Sequence, residues 1–402
     1  MSAELAETRA KQSTRRERVR VSLICDMLEE RWPSMDLVAE ALVERLTCDH
    51  AGVVDVSQIR PQLRRRLSAP DDFAGFRYTA DRLLGRMWDY PRMLAREGVR
   101  FCDVFHIVDH SYSQLVHALP AARTVVTCHD IDTFRSTVEP AVEHRSLPFR
   151  VMTRRILSGF QMAARVVCDS RATKSDIEKY ALIRPDRLVV APLGVDGSYG
   201  PSADNAADRD ADVLLSSCGQ GAPLLLHVGS TVARKRIDDL LEIFADVRKT
   251  IPHAQLIRVG GPFTEPQRRR ADSLAVSQSI VILPVLSRRV LAAVYRRASI
   301  VLQPSSAEGF GLPVAEALAC GTPVVASDLP VLREVGGTAC EYSSVGDVRE
   351  WSARISSLLD ERQQNSEGWS NRKHAAVRQA AQFTWAEYAR RMVDVYTDVL
   401  HS

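Results

Sequence analysis

The chain has 402 residues, with 53 Lys and Arg against 50 Asp and Glu and a formal net charge of +3. This length is too great for one ordinary domain and suits two domains, each able to bury its own core. With 26% charged residues of mixed sign, the composition excludes a disordered polyelectrolyte and gives no sign of nucleic-acid binding.

Short apolar strands alternate with helical stretches along the chain, which is typical of parallel sheets covered by helices on both faces. In the first half the pattern predicts strands at 19–25, 104–108, 124–128, 165–168 and 187–191. In the second half it predicts strands at 224–228, 255–259, 280–283, 300–303 and 322–326. We therefore predict an α/β protein of two doubly wound, Rossmann-like domains. Such domains bind ligands at the carboxyl ends of their strands.

The domain boundaries follow from composition. A small, polar stretch without periodicity lies between the two sets of strands and is predicted to be a linker over 199–221. The N-terminal domain is then expected over 18–198, after a flexible basic segment at 1–17. The C-terminal domain is expected over 222–382. A last helix at 383–402 carries apolar residues at helical spacing, as a packed helix does.

The cysteines and the N-terminal residues bear on location. The eight cysteines are scattered, with no Cys-x-x-Cys pair, so we expect reduced core residues and no zinc site or disulfide frame. The first twenty residues have no apolar stretch like that of a secretory signal, and no run approaches the length of a membrane span. We therefore expect a cytoplasmic protein, at most peripheral to a membrane.

The most informative motif runs from Glu308 to Glu316, two glutamates with seven residues between them. Pro313 suits the first helical turn, and a helix is predicted to begin near it and to end at Gly321. The unpaired N–H groups at such a helix start form an anion site, usually for a phosphate. The flanking carboxylates are better placed to accept hydrogen bonds from hydroxyls. The alternative is an ordinary strand-loop-helix turn with two surface glutamates.

This block resembles the signature of the retaining glycosyltransferases of family 4, which have the GT-B fold and use nucleotide-sugar donors. The resemblance implies two domains facing a central cleft, with the last helix crossing back to the first domain. It also implies that Glu308 approaches hydroxyls of the donor sugar and that Glu316 holds the ribose. The loop residues that would face the sugar and the diphosphate are Gly309, Phe310, Gly311 and Leu312.

A second motif is the basic turn that follows the strand at 224–228. Three consecutive cations at a helix entry oppose the helix dipole, so an anion is expected to compensate them. The resemblance implies that Lys235, helped by Arg234, clamps the diphosphate and stabilises it as a leaving group. Many relatives carry an arginine directly after Gly229, where this chain has Ser230. The alternative is a solvated basic turn.

Two further segments of the second half are predicted to lie near the nucleotide. Gly260 ends a strand, where glycine lets a backbone approach a ligand closely, although a plain tight turn explains it almost as well. The segment that ends in Leu286 matches one that touches the base through main-chain atoms in the family, so Leu286 is a donor-binding candidate.

The first half supplies one candidate for positioning the donor sugar and three candidates for binding the acceptor. His129 stands at the carboxyl tip of a strand, and the resemblance implies that it positions the donor sugar; a buried structural histidine is the alternative. His110 and Tyr112 follow another strand and are acceptor candidates. Trp32 could stack on a sugar ring or anchor its loop. That loop lacks the glycines that many relatives have there.

Arginines are frequent from Arg60 to Arg100. They could hold an anionic acceptor or contact an anionic membrane, and a solvated helical face is the favoured alternative.

Taken together, the motifs predict a metal-independent retaining hexosyltransferase whose donor is a UDP- or GDP-sugar. Its acceptor would be a saccharide, a lipid-linked compound or a small molecule; no cofactor, metal or nucleic acid is expected. The catalytic candidates are Glu308, Lys235 and His129. Two alternatives stay open: a GT-B epimerase or phosphorylase, and a GT-B subunit that binds a nucleotide or a partner without turnover.

Overall fold

The structure is a computed structural model that describes residues 18–30, 32–98, 102–140, 143–219 and 221–402. The segment predicted to be flexible, 1–17, lies outside these residues. The chain divides into two compact units. Unit 1 comprises residues up to Asp169, then Thr173–Ala191 and Trp385–Ser402, and unit 2 comprises Ser170–Ala172 and Pro192–Thr384.

Unit 1 is built on a sheet of six parallel strands in the spatial order β2-β1-β3-β4-β5-β6. The strands are β1 (Val19–Ile24), β2 (Val54–Ile59), β3 (Val104–Ile107), β4 (Thr124–Cys128), β5 (Arg165–Cys168) and β6 (Leu188–Val190). The first half of the chain also forms helices α1 (Pro33–Asp49), α2 (Gly75–Leu84), α3 (Tyr90–Met93), α4 (Arg135–Val138), α5 (Leu147–Met162) and α6 (Arg171–Lys179). The central strands are buried and mostly apolar because helices cover both faces of a parallel sheet.

Unit 2 is also built on six parallel strands, in the order β12-β11-β10-β7-β8-β9. They are β7 (Leu224–Val228), β8 (Gln255–Val259), β9 (Ile280–Leu283), β10 (Ile300–Gln303), β11 (Val324–Ser327) and β12 (Cys340–Ser343). Helices α7 (Asn205–Leu214), α8 (Ile237–Thr250), α9 (Glu265–Ser273), α10 (Arg288–Arg297), α11 (Leu312–Ala319), α12 (Pro330–Gly336), α13 (Val348–Gln364) and α14 (Ser366–Ala380) belong to this unit. The order reverses between β7 and β10, and doubly wound sheets bind ligands at this switch point.

The last helix, α15 (Trp385–His401), packs in unit 1 against α1, β1 and β3. Its buried face includes Met392 and Tyr396. The Tyr396 hydroxyl lies 2.8 Å from Nδ1 of His106, which is buried in the middle of β3. The helix is therefore tied to the sheet of unit 1 by a hydrogen bond as well as by apolar packing.

The predicted α/β, doubly wound fold is confirmed, and all ten predicted strands are found within a few residues of their predicted bounds. Two strands escaped prediction, β2 and β12. Both lie at sheet edges and carry polar residues, such as Asp55 and Glu341, that interrupt an apolar pattern.

The stretch predicted to be a linker, 199–221, contains helix α7, and unit 2 begins earlier, at Pro192. The Asp204 carboxylate caps α7 by accepting bonds from two backbone N–H groups. Asp208 then binds Arg296 and Arg297 of α10, each at 2.8 Å. The helix escaped prediction because its buried face holds only small alanines.

Within the part of the chain that the structure describes, no helix is both long enough and apolar enough to span a membrane.

Candidate functional site

The loop after β10 leads directly into α11 and carries the first glutamate of the motif. Gly311 stands before the first residue of the helix with φ of +95°, in the left-handed region that favours glycine. A Cβ at this position would lie 2.7 Å from a Leu332 methyl group, so a side chain does not fit there. Pro313 is in the first turn, as predicted. The helix start is thus packed closely against α12.

Glu308 is held by four side chains that donate hydrogen bonds. Lys235 Nζ lies 2.6 Å and Ser305 Oγ 2.7 Å from Oε1, which also accepts a bond from Gln303 at 2.6 Å. Arg234 Nη1 lies 2.8 Å from Oε2. Burial favours the neutral acid, but the two cations outweigh it and lower the pKa of Glu308 to about 2. Glu308 is therefore a fixed, ionised carboxylate.

The basic turn lies beside Glu308 because β7 and β10 are neighbouring strands. Arg234 and Lys235 form the short 3-10 turn Ala233–Lys235 after β7, and Arg236 ends it with a left-handed backbone. The Lys235 side chain is only 8% exposed, whereas that of Arg234 is 34% exposed. One cation is thus buried against the carboxylate, and the other reaches the surface.

Glu316 lies one turn inside α11 and is buried. Tyr295 Oη donates to its Oε2 at 2.9 Å, and the Tyr199 ring stands edge-on to that of Tyr295. Burial raises the pKa of Glu316 to about 7, against the hydrogen bonds from Tyr295 and Tyr199. Glu316 therefore changes charge near neutral pH, unlike Glu308.

A buried arginine supports the glycine turn after β7. Arg258 on β8 is fully buried, and its Nη1 donates to the Gly229 carbonyl at 2.8 Å and lies 3.2 Å from Nδ1 of His227. Burial lowers the pKa of Arg258 to about 10. Gly260 packs on the same carbonyl, since a Cβ there would lie 2.0 Å from the Gly229 oxygen. The backbone beside Lys235 is therefore held from two sides.

The remaining donor candidates contribute in different ways. Ser230 is exposed, and Leu286 is half-buried in the loop after β9. The Phe310 ring is buried edge-on against Phe383, so that side chain belongs to the core. Gly309 and Leu312 flank it at the helix start.

In unit 1, His129 follows β4 and both of its ring nitrogens are engaged. Nδ1 lies 2.5 Å from Asp169 and Nε2 lies 2.8 Å from the Val108 carbonyl. Burial opposes a charge on the ring, but the carboxylates of Asp169 and Asp109 outweigh it and raise the pKa of His129 to about 10. His129 is thus a buried imidazolium; the sugar-positioning role stays a prediction.

The three acceptor candidates differ in exposure. His110 and Tyr112 are 4% and 1% exposed, whereas Trp32 is 49% exposed. The Tyr112 hydroxyl accepts a bond from the Met27 N–H at 3.4 Å, and the Arg86 guanidinium lies 4.1 Å from the centre of its ring. Tyr112 is therefore a structural residue of the core, and acceptor roles for His110 and Trp32 stay predictions.

Two family models match the chain. The model "Glycosyltransferase Family 4" matches residues 39–199, and the model "Glycosyl transferases group 1" matches residues 218–375. Both models describe glycosyltransferases, and together the two matches cover most of the chain. The second match includes the Lys235 turn, Glu308 and Glu316, which are the main donor candidates.

Similar proteins agree with this family. A D-inositol 3-phosphate glycosyltransferase of Segniliparus rotundus is 32% identical over 247 residues, which are 59% of this chain and 52% of that protein. The chain spans about half the length of the curated relatives it matches. Among solved structures, sucrose-phosphate synthase from Thermosynechococcus elongatus is similar with a TM-score of 0.73, at 19% identity over 96% of this chain and all of that one.

Anabaena HepE in complex with UDP and glucose is similar with a TM-score of 0.70, at 14% identity over 94% of this chain and 99% of that one. At these identities the similarity concerns the fold, which is GT-B: two Rossmann-like units with parallel sheets.

Several residues around the candidate site escaped prediction. Gln303 and Ser305 donate to Glu308, Tyr295 and Tyr199 donate to Glu316, and Arg258 donates to the Gly229 carbonyl. A signal existed for two of them. Gln303 ends an otherwise apolar strand, and Arg258 interrupts another, and a polar residue in a buried strand needs a partner.

The arginines of the stretch from Arg60 onward serve several structural roles. Arg60 binds Asp36, Arg66 binds Asp89, and Arg82 binds Glu30. Others, among them Arg77 and Arg92, are exposed, and Arg100 lies outside the described residues. The prediction of a uniformly solvated face therefore holds for only part of this stretch.

Proposed function

We propose that this chain transfers a hexose from a nucleotide diphosphate sugar to an acceptor hydroxyl with retention of the anomeric configuration. The observation that carries the proposal is the ionised Glu308, held by Lys235 and Arg234 at the start of α11. Sugar hydroxyls need a hydrogen-bond acceptor and a diphosphate needs cations, and this arrangement places a carboxylate beside two cations. The similarity to HepE, whose structure contains UDP and glucose, supports a nucleotide-sugar donor.

In the proposed complex the helix start and the two cations meet the charge that develops on the leaving diphosphate. Glu308 accepts hydrogen bonds from hydroxyls of the donor sugar. Glu316, in its ionised form, accepts bonds from the ribose. Because side chains and a helix start offset the phosphate charge, we propose that transfer needs no metal ion.

Retention follows if the acceptor attacks the face from which the diphosphate leaves. The bond from the anomeric carbon to the phosphate oxygen breaks, the bond to the acceptor oxygen forms on the same face, and the departing phosphate takes the acceptor proton. Glu308 is not the nucleophile in this scheme, because four donors already hold its two oxygens.

The first test is a thermal-shift screen with UDP-, GDP- and ADP-sugars, followed by proton NMR of any product in buffer containing EDTA. A product with the donor's anomeric configuration, formed in EDTA, supports the proposal. An inverted product, or a rate lost in EDTA and restored by a divalent cation, contradicts it. Incubation without an acceptor separates the alternatives, since an epimerase would change the sugar of the nucleotide.

We also propose that the protein works in the cytoplasm at the surface of an anionic membrane. Its eight cysteines are free, which suits a reducing compartment. In unit 1, Phe76 and Trp88 are 86% and 55% exposed, beside the exposed cations Arg77 and Arg92. Exposed aromatic rings among arginines suit an interface with anionic lipids.

Flotation with vesicles tests this contact. Binding to phosphatidylglycerol vesicles, absent with phosphatidylcholine and reduced several-fold in Phe76→Ala/Trp88→Ala, is the expected result. Val213→Ala, an exposed apolar position of unit 2, is the matched control. Equal binding of all three proteins would contradict the proposed surface.

A further inference from the structure

Four polar residues of unit 1 meet at the carboxyl edge of its sheet. Asp26 follows β1, Asp109 and His110 follow β3, and Asp130 follows β4. These strands are next to one another in space, so the residues that follow them lie at one edge. His110 Nδ1 is 3.4 Å from Asp109, and its Nε2 is 3.7 Å from Asp130.

Two of these side chains are buried and meet no hydrogen-bond donor or acceptor outside this cluster. Asp26 is 3% exposed, and its carboxyl group faces that of Asp109 but meets no N–H donor among the described residues. His110 is 4% exposed, and neither of its ring nitrogens makes a hydrogen bond within the same part of the chain. Buried polar groups of folded proteins are nearly always bonded, so these groups indicate a ligand.

The neighbours of Asp26 define what it can bind. Asp109 accepts bonds from the Ser111 N–H at 2.8 Å and from Ser111 Oγ at 2.5 Å, which hold it as a carboxylate. Burial, followed by the charge of Asp109, raises the pKa of Asp26 well above its usual value. Burial beside a second carboxylate favours the protonated form of Asp26, and in that form the pair offers both a donor and an acceptor. A hydroxyl group needs both.

The cations nearby already have partners. Arg86 lies 3.6 Å from Glu30, a carboxylate that Arg82 also binds, and donates to the backbone and side-chain oxygens of Ser111. His129 is paired with Asp169. A phosphate monoester would therefore meet the carboxylates of Asp109 and Asp130 beside cations that already have partners, which disfavours it relative to a neutral compound. The described residues also contain no group of three side chains suited to a metal ion.

We propose that this cluster binds the acceptor, and that the acceptor is a neutral polyhydroxyl compound, a sugar or cyclitol without a phosphate group. Neighbouring hydroxyls bind the Asp26 and Asp109 pair and the ring of His110. The word acceptor rests on the proposed transferase function, whereas binding of the polyol does not. The similar D-inositol 3-phosphate glycosyltransferases have a phosphate ester in their name, and this chain would differ from them in binding an acceptor without a phosphate.

Direct binding tests the proposal without turnover, and so separately from the transferase function. The full chain is titrated in saturation-transfer NMR with glucose against glucose 6-phosphate and with myo-inositol against its 1-phosphate. A neutral member bound at least tenfold tighter than its phosphate is the expected result. Binding of a phosphate ester equal to or tighter than that of its neutral partner overturns the proposal, as does failure of both neutral compounds to bind.

Two variants test the residues. Asp26→Asn keeps a donor and an acceptor in the same shape and should bind the polyol within about threefold of the parent, whereas Asp26→Ala should lose about tenfold. Thermal unfolding and affinity for UDP verify that both proteins fold. Equal polyol affinity of Asp26→Ala and the parent would show that Asp26 has only a structural role and would overturn the assignment.

Discussion

The Lys235 Nζ lies 2.6 Å from Glu308 Oε1, although the two residues are 73 positions apart in the chain. The two residues meet because β7 and β10 are neighbouring strands at the point where the strand order reverses, which brings the loops after these strands together. The lysine proposed to clamp a diphosphate is thus oriented by the glutamate proposed to bind the sugar. Loss of Lys235 should therefore disturb the carboxylate proposed to bind the sugar as well as the clamp on the diphosphate.

Replacing Lys235 with alanine should weaken UDP binding about 30- to 100-fold and abolish transfer. The change removes a charge-assisted contact to the diphosphate and leaves Glu308 with Arg234 as its one cation. Isothermal titration with UDP measures the effect. Lys249→Ala is the matched control, since Lys249 is exposed and forms its ion pair among the described residues with Asp246 on its own helix. Equal UDP affinity of the Lys235 and Lys249 variants would refute the clamp.

Affinity for UDP should rise with pH through about 7 because Glu316 must be ionised to accept ribose hydrogen bonds. Below that pH the affinity should fall about tenfold per unit. Because the folded protein raises this pKa from 4.5, the unfolded chain loses the proton first. The free energy of unfolding should therefore decrease between pH 4.5 and 7. UDP is titrated into Glu316→Gln at the same pH values, so that the pH dependence caused by the ionisation of UDP itself can be subtracted. If UDP affinity changes with pH in the same way in the variant and the parent, Glu316 does not bind the ribose as a carboxylate.

Gly260 and Gly261 form a matched pair for testing the backbone beside Lys235. Both have positive φ, so alanine strains either one, but only at Gly260 would its Cβ meet another backbone, at 2.0 Å from the Gly229 oxygen. Gly261→Ala should cost about 1 kcal/mol of stability with little change in UDP affinity. Gly260→Ala should displace the turn and weaken UDP binding at least tenfold. Thermal unfolding and titration with UDP measure both effects in both variants. Equal losses of UDP affinity would show that the contact of Gly260 with the Gly229 carbonyl is unimportant for binding.

The stability provided by Asp169 should depend on pH. Because the pKa of His129 is raised from 6.5 to about 10, the pair contributes fully below pH 6.5, and its contribution is lost as pH rises through about 10. At pH 7, Asp169→Asn should cost about 3 kcal/mol of unfolding free energy, since it leaves a buried imidazolium unpaired.

Urea unfolding at pH 6.5 and pH 10 measures this loss. The control is Asp398→Asn, which removes the half-exposed partner of Arg165 in the same unit and should cost less than about 1 kcal/mol. A cost of Asp169→Asn that is the same at both pH values would contradict a charged His129.

The sequence predicted the architecture well because the strands of these parallel sheets are mostly apolar. β7 through β10 have the predicted bounds, even where one polar residue such as Arg258 or Gln303 stands in the apolar run. It failed where burial is one-sided or the buried residues are small: at the edge strands β2 and β12, and at α7 with its alanine face.

For the site, the sequence located Glu308, Glu316 and Lys235 but could not predict their protonation. The two glutamates are chemically identical, and their pKa values differ because cations surround Glu308 while phenols surround Glu316. Those partners lie on other strands and helices. No local pattern connects Asp26 with His110 either, since only the order of the strands brings them to one edge.

The most direct test of the account compares Glu308→Gln with the parent enzyme in two measurements on the same preparation: UDP affinity by titration and the rate of sugar transfer. We expect UDP affinity unchanged or slightly higher, because the neutral side chain of the variant attracts Lys235 and Arg234 less strongly than a carboxylate and so competes less with the diphosphate, and a transfer rate reduced at least a thousandfold. Full transfer activity in Glu308→Gln would contradict the central claim that this carboxylate holds the donor sugar during transfer.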